Sequence, residues 1–190
     1  GKMADEMEVS GWYAPAMNTH RSAFAGRNFE YFSEDPLLAG KIASEAVKGA
    51  EDHGVYAYIK HFALNDQETN RNYQLMTWAD EQTVREIYLR PFEICVKEGK
   101  AKAVMSSFNH YGITPAAASN EVLNKILRDE WGFRGMVLTD YFGAGGYGYM
   151  NADRYIRNGN DFCLTAIDTG YNYVKDKSAT AVIALRKASH

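Results

Sequence analysis

The chain has 190 residues, of which 46% are hydrophobic and 24% charged, and its formal net charge is −3. This length supports one domain with a substantial core, and the composition is typical of a globular protein. Charges of both signs are mixed along the chain without a basic stripe, which argues against a nucleic-acid partner. No apolar run approaches the ~20 residues that cross a bilayer, which argues against a membrane partner.

The reactive side chains suggest neither a disulfide framework nor a metal site. Cys95 and Cys163 are far apart in sequence and are interpreted as small buried side chains. No cluster of His, Cys, Asp and Glu has metal-ligand spacing, so we expect no metal and no cofactor. No signal peptide is seen in this segment, so the location is left open with the cytoplasm favoured.

The first part of the chain is predicted to alternate strand, helix and strand. Residues 9–14 form the first predicted strand and residues 55–59 the second. Between them, Asp35 is typical of a helix N-cap, with Pro36 at the first helical position. Gly54 is typical of a helix end.

The next unit is a helix followed by a third strand. Thr77 and Asp80 are interpreted as a variant capping box for this helix, which Pro91 should kink or restart. The third predicted strand covers residues 103–107.

The last units follow the same alternation. Ser119 is predicted to cap a helix that stops at Gly132. Residues 136–138 form an apolar run too brief for a helix, which indicates a buried strand. A short helix at residues 151–158 and a fifth short strand at residues 161–164 follow.

Repeated strand–helix units with short connections predict an α/β fold, with helices packed outside a parallel sheet. The long polar loops follow strands, which is where a (β/α)8 barrel has its active site. Five units do not close an eight-stranded barrel, and residues 2–7 and 179–190 are interpreted as helices cut at the ends of the chain. We therefore interpret residues 1–190 as one partial domain, about five of the eight units of a TIM-like barrel.

The fourth predicted strand ends on a carboxylate, Asp140, and a glycine-rich loop follows. The C-terminal end of a parallel strand faces the ligand-binding side of such folds, so Asp140 is a candidate catalytic residue. From this segment alone, it is equally possible that Asp140 only caps the turn that follows.

Residues 143–148 also fit Gly-x-Gly-x-x-Gly after a strand, which would indicate a nucleotide-binding oxidoreductase domain. Residues 140–142 separate the strand from the first glycine, and an anion at Asp140 would repel a phosphate. No strand ending in an acidic residue follows at the expected spacing. This alternative is therefore remote.

Four blocks, in order along the chain, resemble glycoside hydrolase family 3. They are Gly-Arg-Asn-Phe-Glu-Tyr-Phe-Ser-Glu-Asp-Pro at 26–36, Lys-His-Phe at 60–62, Met-Ser-Ser-Phe-Asn at 105–109 and Gly-Phe-Arg-Gly to Thr-Asp at 132–140. The resemblance covers nearly the whole chain and is strongest to the β-glucosidases of that family.

The resemblance implies a retaining glycosidase that hydrolyses terminal β-D-glucosyl residues through a covalent glycosyl-enzyme on Asp140. It also implies two further groups of substrate-binding residues. The sugar-hydroxyl ligands are Arg27, Lys60, His61 and Arg71, and the pocket-wall residues are Met105, Phe108 and Tyr141.

Competing interpretations make Lys60 and Arg27 surface cations and His61 a core histidine. Glu30 is interpreted as a partner of Lys60, and Glu68 is given no role.

Two positions depart from the family pattern. Phe108 stands where many members have a tyrosine whose hydroxyl contacts the nucleophile, and Tyr141 stands where many have tryptophan. The implied general acid/base lies outside this segment, so the expected partners are a β-glucoside or related oligosaccharide and the remainder of the parent enzyme. An inactive sugar-binding fragment is the alternative. Since its sheet edges and apolar faces would be uncovered, we expect the chain alone to be poorly soluble, to self-associate or to depend on the rest of its parent.

Overall fold

The computed structural model describes residues 1–71, 75–142, 147–166 and 173–188. The α-helices are α1 (Lys2–Glu6), α2 (Pro36–Glu51), α3 (Glu81–Thr83), α4 (Arg90–Lys97), α5 (Ala152–Arg157) and α6 (Ala179–Ala188). The π-helical segments are Val84–Tyr88 and Glu121–Glu130, and a 3-10 turn covers Ala116–Ala118. The strands are β1 (Gly11–Trp12), β2 (Tyr56–Phe62), β3 (Met76–Thr77), β4 (Ala103–Ser106), β5 (His110–Tyr111), β6 (Thr114–Pro115) and β7 (Met136–Thr139).

The main sheet is parallel, with its strands in the order β1-β2-β4-β7. A parallel bridge between Leu138 and Phe162 places the next segment beside β7. Each successive strand thus lies beside the one before it, with helices in the connections, as in the wall of a (β/α) barrel. The predicted α/β class and the partial TIM-like barrel are confirmed.

Helices α2 and α4 pack together against the outer face of the sheet. The core between the layers contains Phe62, whose ring contacts Phe92 (5.2 Å between centroids) and Trp131 (5.7 Å). At Gly40 in α2, a Cβ atom would lie 2.6 Å from Ile94 Cδ1 of α4. A side chain at this position would therefore force the two helices apart.

The helix ends follow the local signals in the sequence. Asp35 caps α2, because its Oδ1 accepts hydrogen bonds from the N–H groups of Leu37 (2.8 Å) and Leu38 (3.1 Å). Ser119 Oγ likewise accepts from the Val122 N–H (3.3 Å) at the start of the next π-helical segment. Both predicted caps are confirmed.

The predicted capping box of Thr77 and Asp80 is wrong. Asp80 is itself the N-cap, since its Oδ1 accepts from the Thr83 N–H (2.8 Å), whereas Thr77 lies in β3. Pro91 stands in the first turn of α4, so it restarts the helix. The small sheet β3-β5-β6 was not predicted, because its strands of two residues carry no periodic signal.

The first strand is shorter than predicted, because its pairing with β2 covers only Gly11–Trp12 and resumes only as a bridge between Ala16 and Lys60. The fifth predicted strand, residues 161–164, is reduced to the bridge at Phe162. Here the Asp161 carboxylate accepts a hydrogen bond from the Val137 N–H (2.7 Å), in place of the backbone carbonyl of a neighbouring strand.

Asp161 also binds Arg128 Nη2 through Oδ2 (2.8 Å), so one carboxylate links three segments. We predict that Asp161→Ala lowers the free energy of unfolding by about 2–3 kcal/mol, because it removes two charge-assisted hydrogen bonds from a mostly buried site. Urea unfolding measures the change. Asp129→Ala, at an exposed position of the neighbouring helical segment, is the control and should be nearly neutral. Equal losses in the two variants would contradict this role of Asp161.

Within the described residues, no helix is long and apolar enough to cross a membrane. The same residues contain no group of three His, Cys, Asp or Glu side chains able to hold a metal ion. Cys95 is buried, Cys163 is half-buried, and both are free thiols. The glycine-rich alternative falls mainly on residues 143–146, which lie outside the described residues.

Candidate active site

Strand β2 carries two predicted site residues at its carboxyl end. It extends to Phe62, beyond its predicted end at residue 59, so Lys60 and His61 belong to the strand. The Lys60–His61 and Phe62–Ala63 peptide bonds are cis.

Asp140 follows β7 directly, at the same edge of the sheet. Its N–H donates to the carbonyl of Ser106, the last residue of β4 (2.9 Å). His61 Nε2 lies 3.8 Å from Asp140 Oδ2. The carboxylate thus stands at the C-terminal end of a parallel strand, where barrel folds carry their chemistry.

The Asp140 side chain is only 14% exposed. Oδ1 accepts a hydrogen bond from the Tyr141 N–H (2.7 Å), while Oδ2 is buried and accepts none from the described residues. Burial raises the pKa of Asp140 above its ordinary value. The Tyr141 hydrogen bond opposes this rise, and so do three positive charges, those of Arg71, Arg27 and Lys60.

Those cations belong to an alternating series of charges, the charge chain, which consists of Lys60, Glu30, Arg27, Glu68 and Arg71. Lys60 Nζ lies 3.2 Å from Glu30 Oε2, and Arg27 Nε donates to Glu30 Oε1. Arg71 Nη2 lies 3.0 Å from Glu68 Oε2, and Arg27 Nε lies 3.9 Å from Glu68 Oε1. The two carboxylates therefore orient three cations that would otherwise repel one another.

The loop that carries Arg27 packs directly on the loop that carries Glu68. The Glu68 N–H donates to the Ala25 carbonyl (3.0 Å). Gly26 has a φ of +97°, and a Cβ atom there would lie 2.9 Å from Glu68 Cγ. Glycine thus permits both the backbone conformation and the close approach.

Glu68 is a member of the charge chain that was not predicted from the sequence. Its spacing of three residues from Arg71, like that of Glu30 from Arg27, was the available signal.

His61 is buried, with an exposed fraction of 2%, and its backbone is fixed by Asn18. The Asn18 amide donates to the His61 carbonyl (3.0 Å) and accepts from the His61 N–H (2.8 Å). Burial, and then the positive charges of the cations in the charge chain, lower the pKa of His61 well below its ordinary value. The ring is therefore neutral near pH 7, and its contact with Asp140 is not an ion pair.

Aromatic rings form one wall beside the charge chain. The Arg71 guanidinium lies over the Phe108 ring (4.8 Å to the centroid), and Tyr147 stacks on Phe108 (4.7 Å between centroids). The Tyr149 hydroxyl donates to the Phe108 carbonyl (3.1 Å). Neither Tyr147 nor Tyr149 was predicted as a site residue from the sequence.

The structure brings six of the eight predicted site side chains together: Arg27, Lys60, His61, Arg71, Phe108 and Asp140. Neither Arg27 nor Lys60 is a free surface cation, since both are mostly buried in ion pairs. Met105 is buried in β4 opposite Leu138 and takes no part in the contacts above. Tyr141 contributes its backbone N–H, while its side chain is 41% exposed.

Two cavities formed by the described residues lie away from Asp140. One of about 590 Å³ is lined by residues 96–97, 100–102 and 131–135, which precede β4 and β7 and therefore lie at the opposite edge of the sheet. Another of about 620 Å³ lies between α6 and the helical segment Glu121–Glu130. Neither includes the buried unpartnered carboxylate, so chemistry rather than volume identifies the Asp140 edge as the candidate site.

Comparison with known proteins agrees with this arrangement. The family model described as the glycosyl hydrolase family 3 N terminal domain matches residues 1–183. The chain belongs to glycosyl hydrolase family 3. The recognition made from the four sequence blocks is thereby confirmed.

The relatives in this family include named β-glucosidases. Beta-glucosidase A of Butyrivibrio fibrisolvens is 46% identical over 145 residues, covering 76% of this chain and 17% of the relative. Beta-glucosidase B of Emericella nidulans is also 46% identical over 145 residues, covering 75% of this chain and 17% of the relative. This glycosyl hydrolase family 3 chain therefore spans less than a fifth of the length of these relatives.

Solved structures of the family share the fold. β-Glucosidase 3B from Thermotoga neapolitana, in complex with glucose, has a TM-score of 0.80 at 39% identity, covering 98% of this chain and 26% of that protein. A Kluyveromyces marxianus β-glucosidase in complex with glucose has a TM-score of 0.86 at 30% identity, covering 98% and 23%.

Proposed function

We propose that this chain is the nucleophile-bearing part of a retaining β-glucosidase. The observation that carries the proposal is Asp140, a carboxylate with a buried, unpartnered Oδ2 at the end of β7, beside a neutral histidine and three cations. The named β-glucosidase relatives support the same substrate class, and two of the solved relatives hold glucose.

The proposed reaction has two displacements at the anomeric carbon. Asp140 Oδ2 attacks that carbon and forms a glycosyl ester, while the bond to the leaving oxygen breaks and that oxygen takes a proton. The general acid comes from polypeptide outside these residues. In the second step the same group removes a proton from water, which attacks the anomeric carbon and restores the Asp140 carboxylate.

The charge chain has two functions in this reaction. The mostly buried side chains of Arg27, Lys60 and Arg71 offer charged donors to the hydroxyls of the sugar, and such hydrogen bonds fix orientation. Their positive charges also oppose the rise in the pKa of Asp140 and so favour the ionised, nucleophilic form.

A mechanism-based label tests the covalent step in the full polypeptide that carries this chain. 2-Deoxy-2-fluoro-β-D-glucosyl fluoride has a good leaving group, so the glycosyl-enzyme forms without acid assistance and then hydrolyses slowly. We expect a protein mass increase of one fluorodeoxyglucosyl group, located by peptide mass spectrometry on the peptide that contains Asp140.

Asp140→Asn should remain unlabelled, and Asp129→Asn, which changes an exposed aspartate, should label like the parent protein. Label on another carboxylate would contradict the assignment of Asp140. Tight glucose binding without any label would instead favour the inactive sugar-binding alternative.

A further inference from the structure

Behind His61, on the side away from Asp140, lies the hydroxyl of Tyr31. The Tyr31 Oη lies 3.3 Å from His61 Nδ1, 3.0 Å from the Asn65 carbonyl oxygen and 3.2 Å from Asn65 Nδ2. The side chains of Tyr31, His61 and Asn65 are all buried. The three contacts must therefore be satisfied within the protein.

The orientation of the Asn65 amide is determined by its other neighbour. Arg71 Nη1 lies 3.3 Å from Asn65 Oδ1, and a guanidinium can only donate. Asn65 Nδ2 is then the donor to Tyr31 Oη. The Tyr31 oxygen accepts this bond and keeps a second lone pair and one proton.

The single Tyr31 proton has two candidate acceptors. The backbone carbonyl of Asn65 can only accept, whereas His61 Nδ1 can donate or accept according to the tautomer of the ring. If the hydroxyl donates to the carbonyl, Nδ1–H can donate to the Tyr31 oxygen and all three contacts are satisfied. If the Tyr31 hydroxyl donates to His61 Nδ1 instead, the backbone carbonyl of Asn65 loses its hydrogen-bond donor.

We propose that Tyr31 is a positioning residue that holds His61 in the Nδ1–H tautomer, so that Nε2 presents a bare lone pair toward Asp140. The tautomer of His61 is inferred from the hydrogen bonds alone. Its effect on a bound sugar rests on the proposed function. The 3.8 Å separation of Nε2 from Asp140 Oδ2 agrees with two acceptors that do not bond to each other.

The consequence is a rule for the substrate. A ligand placed beside Nε2 must bring a donor, so a sugar hydroxyl bound there donates to His61 and accepts from the neighbouring cations. Replacing that hydroxyl by hydrogen or fluorine removes the donor and leaves Nε2 buried without a partner. A site of this kind rejects the analogue that lacks the hydroxyl more strongly than an apolar pocket rejects an added group. His61 then selects a hydroxyl by accepting from it.

The test measures the tautomer directly. Histidine labelled with nitrogen-15 is incorporated into the full polypeptide that carries this chain, and the His61 ring signals are identified by their loss in His61→Asn. Long-range proton–nitrogen correlation near pH 7 should give a protonated Nδ1 and an unprotonated Nε2. A wild-type spectrum with Nε2 protonated overturns the proposal, whatever the variants do.

Tyr31→Phe removes only the hydroxyl, so it should mix the two His61 tautomers. For an aryl β-glucoside it should also raise KM about tenfold, with a smaller change in kcat, as expected for one lost hydrogen bond.

Tyr155→Phe is the matched control, because Tyr155 is equally buried and packs edge-on against Phe142. It should leave the His61 signals and KM unchanged. His61 signals in Tyr31→Phe that match the parent protein would also overturn the proposal. If His61 carries its proton on Nδ1 but the protein neither hydrolyses nor binds glucosides, the proposed function is overturned and the tautomer proposal stands.

Discussion

Replacing Asp140 with asparagine should lower the turnover of aryl β-glucosides by about 10⁴-fold or more while the protein remains folded. The amide keeps the size of the side chain but has no carboxylate to attack the anomeric carbon. The measurement is kcat in the full polypeptide, with circular dichroism as the check on folding. Asp129→Asn should retain full activity.

The same substitution should raise the melting temperature. Burial raises the pKa of Asp140 in the folded protein, so near pH 7 the ionised carboxylate costs stability that an amide does not. As the pH falls through the raised pKa toward the ordinary aspartate value, the wild-type carboxyl takes up a proton and that cost disappears.

The stability difference between Asp140→Asn and the wild type should therefore be largest near neutral pH and shrink on acidification. A difference that grows on acidification would contradict a raised pKa for Asp140. A variant that is both inactive and less stable near pH 7 would indicate that Asp140 is a structural residue.

Lys60→Met is expected to lower kcat/KM about 100-fold. The change removes one charged donor from the proposed sugar site and leaves Glu30 with Arg27 alone. Charge-assisted hydrogen bonds contribute about 1.5–3 kcal/mol each, which corresponds to roughly 10- to 150-fold.

The pH profile of this variant gives a second, independent readout. The positive charge of Lys60 holds down the pKa of Asp140, so its loss lets burial raise that pKa further. Since Asp140 must be ionised to react, the acid limb of kcat/KM should move to higher pH.

Lys102→Met is the matched control, because Lys102 also pairs with a carboxylate, that of Glu51 (2.8 Å), but stands before β4 at the opposite edge of the sheet. Its profile should match that of the wild type. An unmoved acid limb in Lys60→Met would mean that Lys60 does not act on the nucleophile.

Local sequence determined the parts of the fold that depend on neighbours in the chain. Asp35 and Ser119 could be identified as caps, because a cap bonds to N–H groups two or three residues away. The apolar run before Asp140 predicted a strand, and parallel connections then determined which edge of the sheet its carboxyl end would occupy. The short sheet β3-β5-β6 escaped prediction, since its pairs depend on contacts outside any one segment.

The candidate site divides in the same way. Lys60, His61 and Asp140 could be placed from the sequence, because each stands at or just past the end of a strand. Glu68 had only its spacing from Arg71 as a signal and Tyr31 had none, since their contacts arise only where the loop of residues 18–34 meets the loop that follows β2.

By itself, then, the sequence determined the family, the parallel strand–helix architecture and the edge that carries Asp140, because these depend on periodicity and on motifs read along the chain. Only the tertiary structure decided which charges pair, which nitrogen of His61 has a partner, and that burial raises the pKa of Asp140. Burial and pairing belong to groups brought together from distant segments. Their distances and desolvation, which set the electrostatics of the site, exist only once the chain has folded.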